Sequence, residues 1–275
     1  MNSILVKLRQ RYTYSLIILK QLIITDFKLR YKGSALGYVW TLLKPLSLFA
    51  VMYVVFVHFL KFGAGIPHFE VQLLLGVVLW NYFSEVTMSG ITAIVGKGDL
   101  MRKLYFPRYV IVLAGSFSAL INLAINLLIV GVLIVINGVD IGPRAILIIP
   151  IIMELFVFAL ALAFLLSALY VKLRDLNYIW ELVLQVGFYA TPIFYPLSMV
   201  AKVSEDIVKI MMLNPITQMI QDARYALISA DVPTLWGLFS PHSYIRIVPF
   251  LIIGLLLWSS IVYFKRQSPS FAEEI

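Results

Sequence analysis

The chain of 275 residues contains no cysteine, so disulfides, thiolate metal centres and a cysteine nucleophile are excluded. Charge is scarce: Asp, Glu, Lys and Arg make up 13% of the residues, against about 25% in soluble domains. A surface that poor in charge cannot cover a water-soluble globule. The three histidines, His58, His68 and His242, are scattered and show no ligand spacing. There is no G-x-x-x-x-G-K-S/T phosphate loop, no H-E-x-x-H pair and no nucleophile elbow. The G-x-G pairs at 63/65 and 96/98 follow no strand pattern and read as turns. No internal repeat of fixed period is visible, and the basic N-terminal stretch lacks the pattern of a signal peptide.

What the sequence does have is apolar length. Hydrophobic residues make up 61% of the chain and the mean hydropathy is +0.95. A helix needs about 20 mostly apolar residues to cross the hydrocarbon. Six segments qualify, roughly 35–60, 69–95, 109–136, 145–169, 179–195 and 247–264; the fifth is short and ends at Pro192 and Pro196. Runs such as 121–136 are apolar on every side, which fits helices and not the alternation of barrel strands. The expected fold is therefore an all-α integral membrane domain with six transmembrane helices.

The net charge of +8 has a sidedness. Residues 1–33, the loops 96–108 and 170–178 and the tail hold fifteen Lys and Arg; the opposite face holds six. Basic residues collect on the cytoplasmic side, so both termini are expected there. An even number of spans agrees with that.

Two segments neither span nor read as plain loops. Residues 4–32 carry apolar side chains interrupted by Lys7, Arg9, Arg11, Lys20, Asp26, Lys28 and Arg30, and are expected to form an amphipathic helix on the cytoplasmic leaflet. A simple basic topology anchor is the plainer alternative. Residues 196–246 are punctuated by Asn214-Pro215 and Pro233. Two short amphipathic helices broken at Asn-Pro are expected there, dipping into the outer leaflet. The basic loop 96–108 is expected to hold a short helix capped by Asp99 and stopped by Pro107. It would lie across the membrane face as a docking knob.

Charges within the spans are few: Lys44, Glu85 and Glu154. Lys44 can snorkel to the inner headgroups, Glu85 can pair with a basic neighbour, and Glu154 is an isolated acid. On a helical wheel Tyr38, Pro45, Phe49, Tyr53 and Phe56 share one face of the first span. Gln72, Gly76, Trp80, Phe83, Thr87 and Gly90 share a face of the second; Glu181, Gln185, Phe188, Pro192 and Tyr195 share a face of the fifth. Aromatic faces can stack on sugar rings and still let a polymer slide. The candidate pathway residues are Tyr38, Phe49, Tyr53, Phe56, Trp80, Phe83, Gln185, Phe188 and Tyr195. The competing reading is lipid-facing Phe and interfacial Tyr and Trp belts.

Four stretches carry a family resemblance. DFKLRYKGSALGYVWTLLKPL (26–46) resembles the entrance to the first span of ATP-binding-cassette export permeases for bacterial surface polysaccharides, the O-antigen, capsule and teichoic-acid exporters. GKGDLMRKLYFPR (96–108) is similar to their coupling-helix region. VKLRDLNYIWELVLQVGFYATPIFYP (171–196) resembles their fourth loop and fifth span, and LNPITQMIQDARYALI (213–228) their external re-entrant helices. Lys44 before Pro45 departs from that pattern, where a neutral or aromatic residue is expected.

The resemblance implies a single transmembrane domain over 1–275: an interfacial helix at 1–33, helices 1–5 across 35–195, an external re-entrant gate at 196–246, helix 6 at 247–264 and a cytoplasmic tail at 265–275. It implies a channel made by two copies in the bacterial cytoplasmic membrane, and no catalysis by this chain. Two copies of a separate ATPase subunit would carry ATP and Mg and dock on Asp99, Arg102, Lys103, Tyr105 and Arg108. The cargo would be a lipid-linked glycan, its pyrophosphate attracted by Arg30 and Lys32. Neither a metal nor a nucleic acid is expected. An exporter of the same architecture carrying a drug or a simple lipid is the alternative. A membrane-embedded sugar transferase would need clustered Asp, Glu or His, and a secondary transporter a repeat and acid pairs; the sequence offers neither.

Overall fold

A computed structural model of the protein describes residues 2–31, 37, 39–103, 106–240 and 242–274. All regular structure among the described residues is helical. A long helix α1 (Asn2–Tyr31) is followed by α2 (Val39–Met52), which runs without a break into a π-helix (Tyr53–Phe59). Next come α3 (Phe69–Ala93), the short α4 (Gly98–Lys103), α5 (Tyr109–Ile136), and α6 (Ile148–Tyr170), which a 3-10 turn (Pro143–Leu147) leads in. Then follow α7 (Leu176–Ala190), α8 (Leu197–Ala201), α9 (Glu205–Met212), α10 (Pro215–Leu227), α11 (Leu235–Leu238), α12 (Val248–Gln267) and α13 (Phe271–Glu274).

Among the described residues five helical segments are long and apolar enough to cross a membrane: Val39–Phe59, Phe69–Ala93, Tyr109–Ile136, Pro143–Tyr170 and Tyr244–Ser270. Six were expected. The exception is the short fifth segment, where α7 has 15 residues, about 22 Å at 1.5 Å per residue. The hydrocarbon is about 30 Å thick. Thr191 leaves the helix with extended backbone (ψ 136°), and Pro192 follows, so the helix cannot continue.

Some hydroxyls inside the spans bond to their own helix. Ser116 and Ser118 on α5 donate to the carbonyls of Val112 and Ala114 one turn back. The end of α5 is set by Gly138, whose positive φ of 64° suits glycine. Asn137 Nδ2 donates to the carbonyl of Leu133 there.

The core is built around α3. Its most apolar stretch is 78% buried, against 11–33% for the other four candidate spans. It packs against α2, α5, α6, α7 and α10. One contact needs a glycine: a Cβ at Gly90 would lie 2.6 Å from Ala163 Cβ on α6. The helix backbones meet at that point, as small residues allow in membrane bundles.

Outside the bundle, the segment 196–246 forms its own small core of Leu197, Val208, Met212, Leu235 and Phe239. The expected break at Asn214-Pro215 is present. Asn214 caps α10, its side-chain oxygen accepting from the Ile216 amide at 3.1 Å, and Pro215 fills the first turn. The expected first helix is split into α8 and α9. Asp99 lies inside the first turn of α4 and not at a cap; its charge still faces the positive end of that helix.

Candidate functional site

The three aromatic stripes read from the wheel meet in one array, but not in the way the wheel implies. Phe56 contacts Phe194 at a centroid distance of 4.6 Å. Phe194 contacts Phe188 at 6.1 Å, Tyr189 at 5.8 Å and Tyr195 at 5.1 Å. Phe188 meets Trp80 edge-on at 5.9 Å, Trp80 meets Phe83 at 5.6 Å, and Phe83 stacks flat on Phe158 of α6 at 5.6 Å. Such contacts are each worth about 0.5–1.5 kcal/mol beyond area burial. Phe194 is the hub, and sequence periodicity missed it because it lies in the non-helical stretch after α7. Phe158 was missed because α6 is apolar all round and offers no stripe.

Trp80 and Phe83 are buried in the protomer, at 7% and 5% exposure. They bind α3 to α6 and α7 and leave little ring face open within one copy. Gly187 admits the Trp80 ring, since a Cβ there would lie 2.9 Å from Trp80 Cη2. Phe49 and Tyr53 form a separate pair at 5.8 Å, with Tyr53 exposed. The π-helix explains the division, because its wider turn breaks the 100° spacing after Met52 and turns Phe56 toward Phe194. Gln185 is exposed on α7, outside the array. Tyr195 Oη donates to the carbonyls of Tyr189 and Ala190, both at 3.2 Å, which closes the end of α7.

Arg224 of α10 lies beneath the array and is 1% exposed. Its Nε donates to the carbonyl of Gln72 at 3.1 Å, Nη1 to Pro192 at 2.8 Å and Nη2 to Ile193 at 2.7 Å. A Cβ at Gly76 would come within 2.9 Å of the guanidinium, so that glycine makes the space. In the sequence Arg224 is only one of six outer basic residues, and nothing there marks it as a core group.

The three intramembrane charges also find places. Glu85 accepts from Asn122 Nδ2 at 2.8 Å. Glu154 is not isolated: Gln218 Nε2 reaches its carboxylate at 3.4 Å and that of Asp222 at 2.7 Å. Lys44 is exposed on α2 and makes no ion pair among the described residues.

Beside α4, Lys97 Nζ pairs with both oxygens of Asp26, at 2.9 and 2.8 Å, joining α1 to the turn before α4. The tail returns to the same region. Phe271 is buried against Phe264 at 5.4 Å, and α13 touches α4. Between these elements lies a cavity of about 830 Å³ with Tyr14, Met101, Arg108 and Lys265 on its walls. Arg102 points outward and is exposed. Tyr38, Lys32 and Tyr105 fall outside the described residues, as do the side chains of Arg30 and Lys103. Among the described residues no group of His, Cys, Asp and Glu could hold a metal ion.

Five apolar helices of spanning length, with the short charged α4 and the separately cored segment 196–246 between them, define a multi-pass helical membrane protein. The ABC-2 type transporter family matches residues 18–228, and the chain belongs to that family. It is 28% identical over 271 residues to an O-antigen export system permease protein, RfbA, of Myxococcus xanthus, covering 97% of this chain and 98% of that protein. A Klebsiella pneumoniae protein of the same name is 27% identical over 271 residues, covering 95% and 97%.

Proposed function

We propose that the chain is the transmembrane subunit of an ATP-driven exporter of lipid-linked surface polysaccharide of the O-antigen type. The near end-to-end likeness to two O-antigen export permeases carries this reading. In it, two copies form the conduit in the bacterial cytoplasmic membrane with both termini inside, and two separate ATPase subunits drive it. The chain itself performs no catalysis and holds no cofactor.

The sixth crossing is made by α7 together with Thr191–Tyr195. Its outer face, with Tyr178, Leu182, Val186 and Tyr189 at 59–73% exposure, suits a partner copy. The conduit wall includes Tyr38, Phe49, Tyr53, Phe56 and Gln185, with Trp80, Phe83, Phe188 and Tyr195 supporting it. Residues 196–246 act as the outer gate, and Arg30 and Lys32 draw the pyrophosphate to the cytoplasmic mouth. The ATPase seats on α4 through Asp99, Arg102, Lys103, Tyr105 and Arg108. The bracing of that knob by Asp26 and by α13 favours this role, since a docking element must transmit force to the spans.

The test is deletion of the gene in its host. Surface glycan, probed with antibody on intact cells, should vanish while lipid-linked glycan accumulates inside, and a plasmid copy should restore it. Undiminished surface glycan in the deletion strain would refute the reading.

A further inference from the structure

The cavity of about 830 Å³ beside α4 has no part in the aromatic array. Its volume is that of a ligand site, about 300–1,000 Å³. Residues of α5, α6 and α12 line it, and Ser268 and Pro269 of the tail complete one side. The pit is open to the outside: Tyr14, Tyr109 and Ile261 on its walls are 47%, 40% and 36% exposed.

Charge and apolar surface are divided by level. Arg108 immediately precedes α5, and Lys265 lies in the last turn of α12, so both cations stand where a span meets the headgroups. The apolar wall lies deeper. Leu113 is one turn into α5, Ile261 one turn back along α12, and Phe164 six residues before the end of α6. At 1.5 Å per residue these positions are about 6–9 Å into the spans. Phe164 and Phe264 meet edge-on there at 5.0 Å. No acidic residue lines the cavity, and among the described residues neither Arg108 nor Lys265 takes part in an ion pair. Basic residues over a pocket between spans select anionic lipid headgroups. A soluble partner could meet the two cations, but it would leave a pit within the hydrocarbon unfilled. A phospholipid satisfies both levels at once.

We infer that this cavity holds one anionic phospholipid of the leaflet next to α4. Its phosphate sits between Arg108 and Lys265, and one acyl chain lies on Leu113, Ile261 and the Phe164–Phe264 pair. Ser268 can donate to a glycerol or phosphate oxygen. The lipid fills the space under α4 and the tail, whose Phe271 packs on the same Phe264 at 5.4 Å. It is a resident part of the assembly and not a passenger. The inference rests on the export reading only in calling that leaflet the cytoplasmic one, where anionic lipids give a negative surface. It is read by retention and not by transport, so its failure leaves the export reading standing.

The full chain, with any subunit that accompanies it, is purified in mild detergent and supplied with phosphatidylglycerol or phosphatidylethanolamine of identical acyl chains. Lipid retained per chain is counted by native mass spectrometry. One phosphatidylglycerol per chain should be held about tenfold more tightly than phosphatidylethanolamine. Arg108→Gln with Lys265→Gln should bring the two lipids level. Arg108→Lys with Lys265→Arg keeps both charges and should keep the preference, which separates lost charge from lost folding. Leu113→Trp should fill the pit and lower retention of both lipids, with the thermal midpoint in lipid-free detergent showing that the variant is folded. Equal retention of the two lipids by the unaltered chain would overturn the inference. So would a preference that survives the neutral pair or Leu113→Trp, because the lipid would then sit elsewhere. Retention of neither lipid would overturn it as well, leaving the pit to a protein partner.

Discussion

Arg224 and Gln72 are 152 residues apart in sequence and are joined by a 3.1 Å hydrogen bond from the Arg224 Nε to the Gln72 carbonyl. The other two arms of the guanidinium hold Pro192 and Ile193. One buried side chain therefore ties α10, α3 and the end of α7 together. Arg224→Ala would leave buried carbonyls unpaired, at about 1–3 kcal/mol each. A loss of at least about 3 kcal/mol is expected, read as a fall in the thermal midpoint of the purified protein in detergent. Arg224→Lys should recover only part of it, because an ammonium lacks the planar fork that serves three carbonyls.

Gly90 is the second sensitive point. A methyl group there would press on Ala163 at 2.6 Å. Gly90→Ala is expected to cost about 1–3 kcal/mol by overpacking. Ala163→Gly in the same chain should return much of it. A double-mutant cycle on thermal midpoints checks the coupling, and simple additivity would show that the two helices part without resistance.

The Lys97–Asp26 pair is about a quarter exposed on each side, so its direct contribution is modest, about 0.5–1 kcal/mol. Its role is positional. Asp26→Lys or Lys97→Asp alone should expose α1 to limited proteolysis, and the swapped pair should restore protection. Digestion patterns that are identical for all four proteins would count against this brace.

Trp80 and Tyr53 separate structure from passage. Trp80→Ala empties a buried site and should cost about 3–5 kcal/mol, so its loss of export would be uninformative. Tyr53 is exposed at 41%, and Tyr53→Ala should leave the thermal midpoint nearly unchanged. Surface glycan in cells carrying it should fall severalfold. Normal display would make Tyr53 a lipid-facing ring.

Arg102→Glu reverses an exposed charge on α4. Co-purification of the ATPase subunit should weaken, most of all at low salt, since higher salt screens exposed charge pairs and mutes the difference. Full recovery of the complex across a salt series would remove Arg102 from the interface.

Much of this was legible in the sequence. Long apolar runs marked the helical spans, and Asn214-Pro215 marked the start of α10. Three features were not legible, each for a physical reason. Phe194 lies in the bent, non-helical stretch after α7, where helical periodicity does not apply. Arg224 is distinguished only by three carbonyls that folding brings to it from elsewhere. The Glu85–Asn122 hydrogen bond joins two spans, so no single window contains it. The wheel also failed past Met52, because the segment Tyr53–Phe59 winds as a π-helix.

That winding has a mechanical meaning. A span built from two pitches carries a reserve of twist. Converting Tyr53–Phe59 to ordinary α-helix would swivel α2, with Lys44 and Trp40, about the helix axis and slide it over its contacts with α3 and α5. The first span can thus change what it presents to the bilayer by turning like a key, at the expense of a few backbone hydrogen bonds re-made one residue along.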